Sequence, residues 1–375
     1  MKTMKARKLK ISRILCISFM IIIATAAGGY AQEISDTLAY NYKVDEFTEV
    51  EFSNKYGNIH VNTWEKDSLK VLITRTSKGS TEEQAASRLE ENLKIDVVET
   101  RHYIAFETNV DIGGYDLLNE IKGVLSLEQN NSKMVNVDYK VWMPATLDLV
   151  IDNKFGDIYL PDLEGEVSID HSYGKLLSHD FGNKINFNLK YSDARLNKLR
   201  YGKINLNSSE LEIKEAGSLI IDSHSSTIQI TQCDDLRIDS SHDDIQADQV
   251  NTAELNTNFS DVEMKSVGSS VYASSRYGTL VINLWDNNFD SINIQSDFTD
   301  ITINAKDPSV CFFAEIEHQR GRLMYPASAT DFTEKAVDKS ESHYISSGNF
   351  GQCKNPELKV SVKINSSEFK LIKNF

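Results

Sequence analysis

The sequence predicts an all-β fold: a single-stranded parallel β-solenoid of short, irregular coils, with a small N-terminal α+β capping insertion that holds one helix. Three observations lead there. First, a frame of two apolar residues seven positions apart recurs every 17 residues through 221–262, pairing Ile221 with Ile228, Ile238 with Ile245 and Leu255 with Val262. A period of this size marks units too small to bury an apolar face alone, which must stack on their neighbours. Second, apolar residues alternate with period two in short runs such as 219–221, 228–230 and 236–238, the mark of strands with one buried face. Third, the fifth residue of the frame is often aromatic (Tyr56, Phe155, Tyr173, Tyr191, Phe259, Tyr277, Phe298). The sixth is often Gly or Ser, which supplies the positive φ or tight bend of a turn. Coils stacked in register would line those rings into a ladder at about 4.8 Å per coil.

The frame extends outward in both directions. It recurs N-terminally at Ile151/Ile158, Ile169/Leu176, Phe187/Ala194 and Leu206/Ile213, and C-terminally at Ala273/Leu280 and Ile294/Ile301. Starts fall 15 to 21 residues apart, so the period is loose while the frame is strict. Two copies stand outside the main run, Phe52/Ile59 and Ile364/Leu371, and the second closely resembles the copy at Leu206. An overlapping match, KLRYGK before Ile204, leaves the register open between residues 195 and 205.

Taken in order, residues 1–31 read as a secretion signal. Lys2, Lys5, Arg7, Lys8, Lys10 and Arg13 precede an apolar run over 14–27, and Gly29-Tyr30-Ala31 offers small residues for cleavage before Gln32. Cys16 lies inside the apolar run with no small residue before it, which does not suit lipidation. The run is short for an uncleaved anchor and no later segment reaches 18 apolar residues, so no transmembrane segment is expected in the mature chain. Residues 32–145 read as strands and a helix-containing cap. Ser80 with Glu83 has capping-box spacing, and Ala86, Leu89 and Leu93 share one helical face. A helix there would cover the exposed sheet edge of the first coil. The stretch 113–132 is irregular, a loop or a short second helix around 117–124. After the Met143-Pro144 break come the solenoid repeats, 146–304. Residues 305–375 leave the repeat as a polar excursion and then closing strands, LKVSVKINSSEFKLI, that cap the last coil.

An extended strand ending at a proline, then a coil with the pattern Φ-x-Φ-x-N-K-Φ-G-D-Φ, is carried by YKVWMPATLDLVIDNKFGDIYL (139–160), with FSNKYGNIHV (52–61) as an earlier echo. This resembles the bacterial "putative adhesin" β-solenoid family of exported β-helical repeat proteins, and the likeness covers most of residues 45–304. The resemblance implies a secreted or cell-envelope solenoid and carries over no catalytic residues. The chain departs from the pattern in three successive coils, where Glu210, Ser225 and His242 stand at the aromatic position.

Charge narrows the partners. The chain holds 40 basic and 55 acidic residues, and the signal takes six of the basic ones and none of the acidic. A mature surface with 34 basic against 55 acidic residues repels phosphate, which excludes nucleic acid. In an oxidising compartment Cys311 and Cys353 are a candidate disulfide that would tie down the C-terminal excursion, leaving Cys233 free; three buried thiols are the alternative.

Residues 233–244 gather Asp234, Asp235, Asp239, His242, Asp243 and Asp244, but their spacing matches no calcium loop or zinc motif. They read as solvated turn residues, and no metal or cofactor is expected. Two readings of the aromatic gap compete: drift in a tolerant stack, or a shallow acidic ligand recess lined by His224, Asp239, His242, Asp243 and Asp244. The frame's third position, often Asn, Ser or Thr (Asn54, Asn153, Ser208, Ser223, Ser240, Thr257), reads as an inward polar stack. No nucleophile elbow, P-loop or dinucleotide fingerprint is present. The function expected is an exported, non-enzymatic β-solenoid of the periplasm or cell surface that binds an envelope protein or glycan or serves as a scaffold. The alternative is a β-helical carbohydrate-active enzyme using Asp234/Asp235 or Asp243/Asp244.

Overall fold

A computed structural model describes residues 32–111, 135–326, 331–352 and 356–373. The signal, the stretch 113–132 and Cys353 lie outside the described residues. Among the described residues, 23 strands join in a long, mostly parallel, unclosed sheet, with one helix packed against it. The N-terminal part comprises β1 (Gln32–Lys43), β2 (Glu49–Lys55), β3 (Ile59–Thr63), β4 (Ser68–Gly79), α1 (Glu82–Glu91), β5 (Leu93–Glu99), β6 (Tyr103–Val110) and β7 (Val135–Met143). The regular part follows as β8 (Asp148–Lys154), β9 (Ile158–Leu160), β10 (Val167–Ser172), β11 (Lys175–Lys190), β12 (Asp193–Asn207), β13 (Glu210–His224), β14 (Thr227–Ser241), β15 (Asp244–Met264), β16 (Val267–Leu284) and β17 (Ser291–Ala305). The chain ends in β18 (Phe312–Gln319), β19 (Arg322–Met324), β20 (Thr333–Asp338), β21 (His343–Phe350), β22 (Lys359–Asn365) and β23 (Glu368–Lys373).

In the regular part each unit pairs in parallel with the next. The partner lies 17 residues on through the middle, with Leu211 beside Ile228 and Ile228 beside Ile245. The step widens to 18 at Val167 and Ile185, and to 21 at Val271 and Ile292. The first and eighth residues of the frame therefore stack on their own kind and form the core: Ile221, Ile228, Ile238, Ile245, Leu255 and Val262 are all buried.

Two copies of the frame sit two residues earlier than the sequence pattern placed them. Ile204 lies beside Ile221 and Leu211 beside Ile228, so that unit is framed by Ile204 and Leu211, not Leu206 and Ile213. Val362 lies beside Ile294 and Phe369 beside Ile301, which moves the C-terminal copy in the same way. The cause is degeneracy: Ile204 and Leu206 both point inward, as do Val362 and Ile364, so apolar pattern alone fits either register.

The turn also divides its work differently. Positive φ belongs to the fifth residue, and of the described sixth residues Gly278 alone shares it, at 136°. Twelve residues that share this corner (Tyr56, Phe155, Tyr173, Tyr191, Ser208, Ser225, His242, Phe259, Tyr277, Phe298, Ser366 and Arg320) have φ between 50° and 65°. Their N–H groups reach the neighbouring unit's carbonyls, as from Ser208 to His224 and from His242 to Asn258, both at 3.0 Å. Where the sixth residue is Gly, the units approach closely. A Cβ on Gly57 would stand 1.9 Å from the Val137 carbonyl oxygen, and one on Gly156 1.9 Å from that of Gly57. Glycine is needed for space in those units, while others leave room for Ser or Asp.

Both ends depart from chain order. At the N-terminal end β2 lies between β8 and β6, and β3 between β9 and β7, all in parallel. Beyond them β5 pairs antiparallel with β6, while β4 and then β1 continue antiparallel from β7. Helix α1 packs against β4, β1 and β5. Its reciprocal cap uses Thr81 and Gln84, one residue beyond the expected Ser80 and Glu83: Thr81 accepts the Gln84 N–H at 3.2 Å and the Gln84 side chain accepts the Ser80 N–H at 2.9 Å. Its buried residues are Ala85 and Leu89, with Ala86 only half-buried.

At the C-terminal end β22 and β23 insert between β17 and the pair β18 and β19. The repeat frame thus continues past residue 304, since Ile316 pairs with Val362, Leu323 with Phe369, and Arg320 takes the αL corner. The outermost strands here are the antiparallel β21 and β20, not the closing strands the sequence suggested.

Candidate ligand-binding face

Because every corner shares one backbone conformation, its side chains form a column. Tyr56, Phe155, Tyr173 and Tyr191 stack in sequence with centroids 4.9–5.4 Å apart and planes within 13°. His242, Phe259, Tyr277 and Phe298 form a second stack at 4.6–5.1 Å and within 12°. Between them stand only Ser208 and Ser225. Glu210 is not a corner residue once the register is corrected, and His242 continues the ladder instead of interrupting it. Tyr191, Phe259 and Phe298 remain about half exposed at their outer edges.

Just inside the rings runs a buried polar spine at the sixth position. The Ser192 N–H donates to Ser209 Oγ (3.2 Å), Ser209 N–H to Ser226 Oγ (3.2 Å), Ser226 N–H to Asp243 Oδ1 (2.7 Å) and Asp243 N–H to Ser260 Oγ (3.1 Å). Each backbone donor at the turn is thereby satisfied by the next unit's side chain. Asp243 also accepts from Ser240 Oγ at 2.7 Å and from the Ser241 N–H at 3.1 Å. The third-position residues point inward as well. Asn54 donates to the Val137 carbonyl at 3.0 Å and to Asn153 Oδ1 at 3.2 Å, and Thr257 donates to Ser275 Oγ at 2.8 Å. Ser208 leaves this set, being a corner residue.

These positions also locate the residues of the acidic recess, one of the two competing readings of the aromatic gap. His224 and His242 are exposed and touch edge to face at 5.5 Å. Asp239 faces outward, accepting from Asn256 Nδ2 at 3.0 Å with Arg237 Nε at 3.8 Å. Asp243 is buried and committed to the spine, and Asp244, next along the strand, is exposed. The five residues do not converge. Strand alternation likewise sets Asp243 and Asp244 on opposite faces, while Asp234 and Asp235 both point to solvent. Among the described residues no group of three or more His, Cys, Asp or Glu is placed to hold a metal ion. Cys311 is disulfide-bonded, its expected partner Cys353 lies outside the described residues, and Cys233 is free and buried. Burial, with Asp234 and Asp235 nearby, pushes the Cys233 thiol up to about 12.

The outward rows beside the rings are built of amides, hydroxyls and charged groups repeated at strand spacing. Asn205, Asp222, Asp239, Asn256, Ser274, Gln295 and Lys363 lie side by side in one row. Toward the C-terminal end this face is concave. A trough of about 420 Å³ is lined by residues including Asn258, Arg276, Gln295, Asp297, Lys363 and Asn365. A second, of about 220 Å³, shares Gln295 and Lys363 and continues past Glu317. Sequence reasoning missed this site because its walls come from β15, β16, β17 and β22, far apart along the chain. Asn365 Nδ2 donates to Asp297 Oδ1 at 3.1 Å, and Arg276 Nη2 lies 3.8 Å from Asp297 Oδ2. Lys363 Nζ lies 3.1 Å from Glu317 Oε1, and this cation, helped by His343, holds the Glu317 carboxyl below its ordinary range. The side-chain amides of Asn258 and Gln295 have no hydrogen-bond partner among the described residues.

No family model and no curated protein matches the chain. Solved structures similar to it include a "putative cell adhesion protein" from Clostridium sporogenes (9% identity, 90% of this chain and 100% of that one, TM-score 0.19). A "putative adhesin" from Bacteroides fragilis is 12% identical over 90% of this chain and 97% of that one, with a TM-score of 0.24. A "putative lipid binding protein" from Parabacteroides distasonis is 11% identical over the same shares, with a TM-score of 0.30. At such values the chain's own residues have to carry any reading of its function. Among the described residues no helix is long and apolar enough to cross a membrane.

Proposed function

We propose that the chain is an exported parallel β-solenoid of the bacterial periplasm or cell surface, and that it works by binding an envelope component rather than by catalysis. The solenoid reading rests on three bends per unit. Besides the αL corner, inward–outward alternation slips at Thr231/Gln232 and at Asp234/Asp235, where two successive residues face outward. Three bends bring each unit back over its own start. Twelve αL corners at about 4.8 Å per step then give a stack about 50 Å long.

The observation that carries the binding reading is the face beside the rings: long rows of small polar groups with a concave end, where the carboxylates Asp297, Glu315 and Glu317 each lie within 4.0 Å of a cation, Arg276, Lys359 and Lys363 respectively. Acid–base cleavage of a polysaccharide needs one carboxyl kept protonated as the acid, and pairing with cations favours the ionised form instead. The test uses the protein purified after export from an expressing bacterium, mixed with washed envelope preparations. Saturable co-sedimentation without release of new reducing ends or unsaturated sugars is expected. Release of either product, or failure to sediment with any envelope fraction, would overturn the reading.

A further inference from the structure

We propose that the two confluent troughs hold a run of an uncharged hexose oligosaccharide, an inference that rests on the binding reading above and names its ligand class. The larger trough lies within the usual range for ligand sites, roughly 300–1,000 Å³. The smaller one meets it at Gln295 and Lys363, so the two form a continuous bed suited to a chain of residues rather than to one small molecule.

The charges in the bed are matched internally. Arg276 faces Asp297, Lys363 faces Glu317 and Lys359 faces Glu315, each within 4.0 Å. An ionic ligand would have to break these pairs, whereas hydroxyl groups can add to them, because guanidinium, carboxylate and amide groups still offer free donors and acceptors. The two unpartnered amides, Asn258 and Gln295, are exposed here, each with one acceptor and two donors to give. Vicinal hydroxyls of a hexose present the complementary donors and acceptors. The residues following Asn258, Arg276 and Asp297 in the chain are the rings Phe259, Tyr277 and Phe298. The three rings stack on one another, so their exposed edges form an apolar border for the C–H groups of a sugar.

The experiment is calorimetric titration of the exported protein with cellohexaose, mannohexaose and β-1,3-glucohexaose, and with hexagalacturonate, at low and high salt. At least one neutral hexamer should bind with an affinity that salt leaves unchanged. Asn258→Ala and Gln295→Ala should each weaken it about tenfold, and Gln232→Ala, at one of the other bends of the unit, should not. Circular dichroism checks that each variant is folded. Binding of hexagalacturonate alone with steep salt dependence, or neutral binding indifferent to both trough variants, would overturn the proposal. Silence toward all four hexamers while envelope co-sedimentation persists overturns the sugar assignment and leaves the binding reading standing. Loss of co-sedimentation as well removes both.

Discussion

His242 stacks on Phe259 with ring centroids 5.0 Å apart and planes 12° from parallel, so a histidine opens the second column of rings. The break in the ladder is therefore confined to Ser208 and Ser225, whose backbones already hold the αL conformation that tyrosine and phenylalanine adopt at the neighbouring corners. Replacing both serines with tyrosine should join the two columns. Each new ring pair contributes on the order of 0.5–1.5 kcal/mol, so the melting temperature should rise by a few degrees. A calorimetric scan showing a fall instead would mean that this corner does not accept a ring.

Glycine at the sixth position of the Gly57 and Gly156 units is a steric requirement with a clear control. Gly57→Ala or Gly156→Ala drives a methyl group to within 2 Å of a neighbouring carbonyl oxygen and should cost about 3 kcal/mol or more. At Gly182 the nearest atom to an added Cβ is 3.6 Å away, so Gly182→Ala should be neutral to within about 0.5 kcal/mol. Urea denaturation of the three variants gives the comparison, and equal costs would contradict the stacking distances.

His171 is buried in the third-position column. Its Nδ1 lies 3.1 Å from the Asn153 carbonyl, and its Nε2 has no partner among the described residues. Burial lowers its pKa from the ordinary 6.5. The folded state therefore binds this proton less readily than the unfolded one. The stabilising contribution is complete above pH 6.5 and is lost as pH falls through the lowered folded value. His171→Asn should flatten the acid side of the stability profile between pH 7 and 5, measured by denaturant midpoints. An unchanged slope would show that other groups set it.

Cys233 should be inert in the native protein. Its raised pKa keeps the thiol protonated, a contribution present below the unfolded value of 9.0 and lost as pH climbs toward about 12. Iodoacetamide at pH 8 should label the Cys233 peptide only after unfolding, and the Cys311 peptide only after reduction as well. Native labelling at Cys233 would show that the core opens there.

The repeat was legible because the frame's first and eighth residues are apolar for one physical reason, burial against their own kind, at nearly every unit. Register at Ile204/Leu206 was not, because both residues are buried and only backbone hydrogen bonds choose between them. Asp243 holds the sixth place of its frame in either register, as do Ser192, Ser226 and Ser260, and correcting the register adds Ser209 to that column. The position of a buried carboxylate was thus legible, but the sequence did not say that the sixth place faces inward. The trough had no sequence signal at all, since Asp297 and Asn365 meet only through strand order at the C-terminal end.

That strand order governs how the protein is assembled in time. A unit of the regular part can dock as soon as it is made, since its partner precedes it in the chain. β18 and β19 cannot, because the place between them and β17 belongs to β22 and β23. Until residues 359–373 arrive, the chain holds open two parallel strand edges that match each other's pattern but not each other's position. Such edges are templates for foreign strands, and closing them is a long-range, late event. The interval just before its final strands insert is thus one in which the chain presents edges open to aggregation.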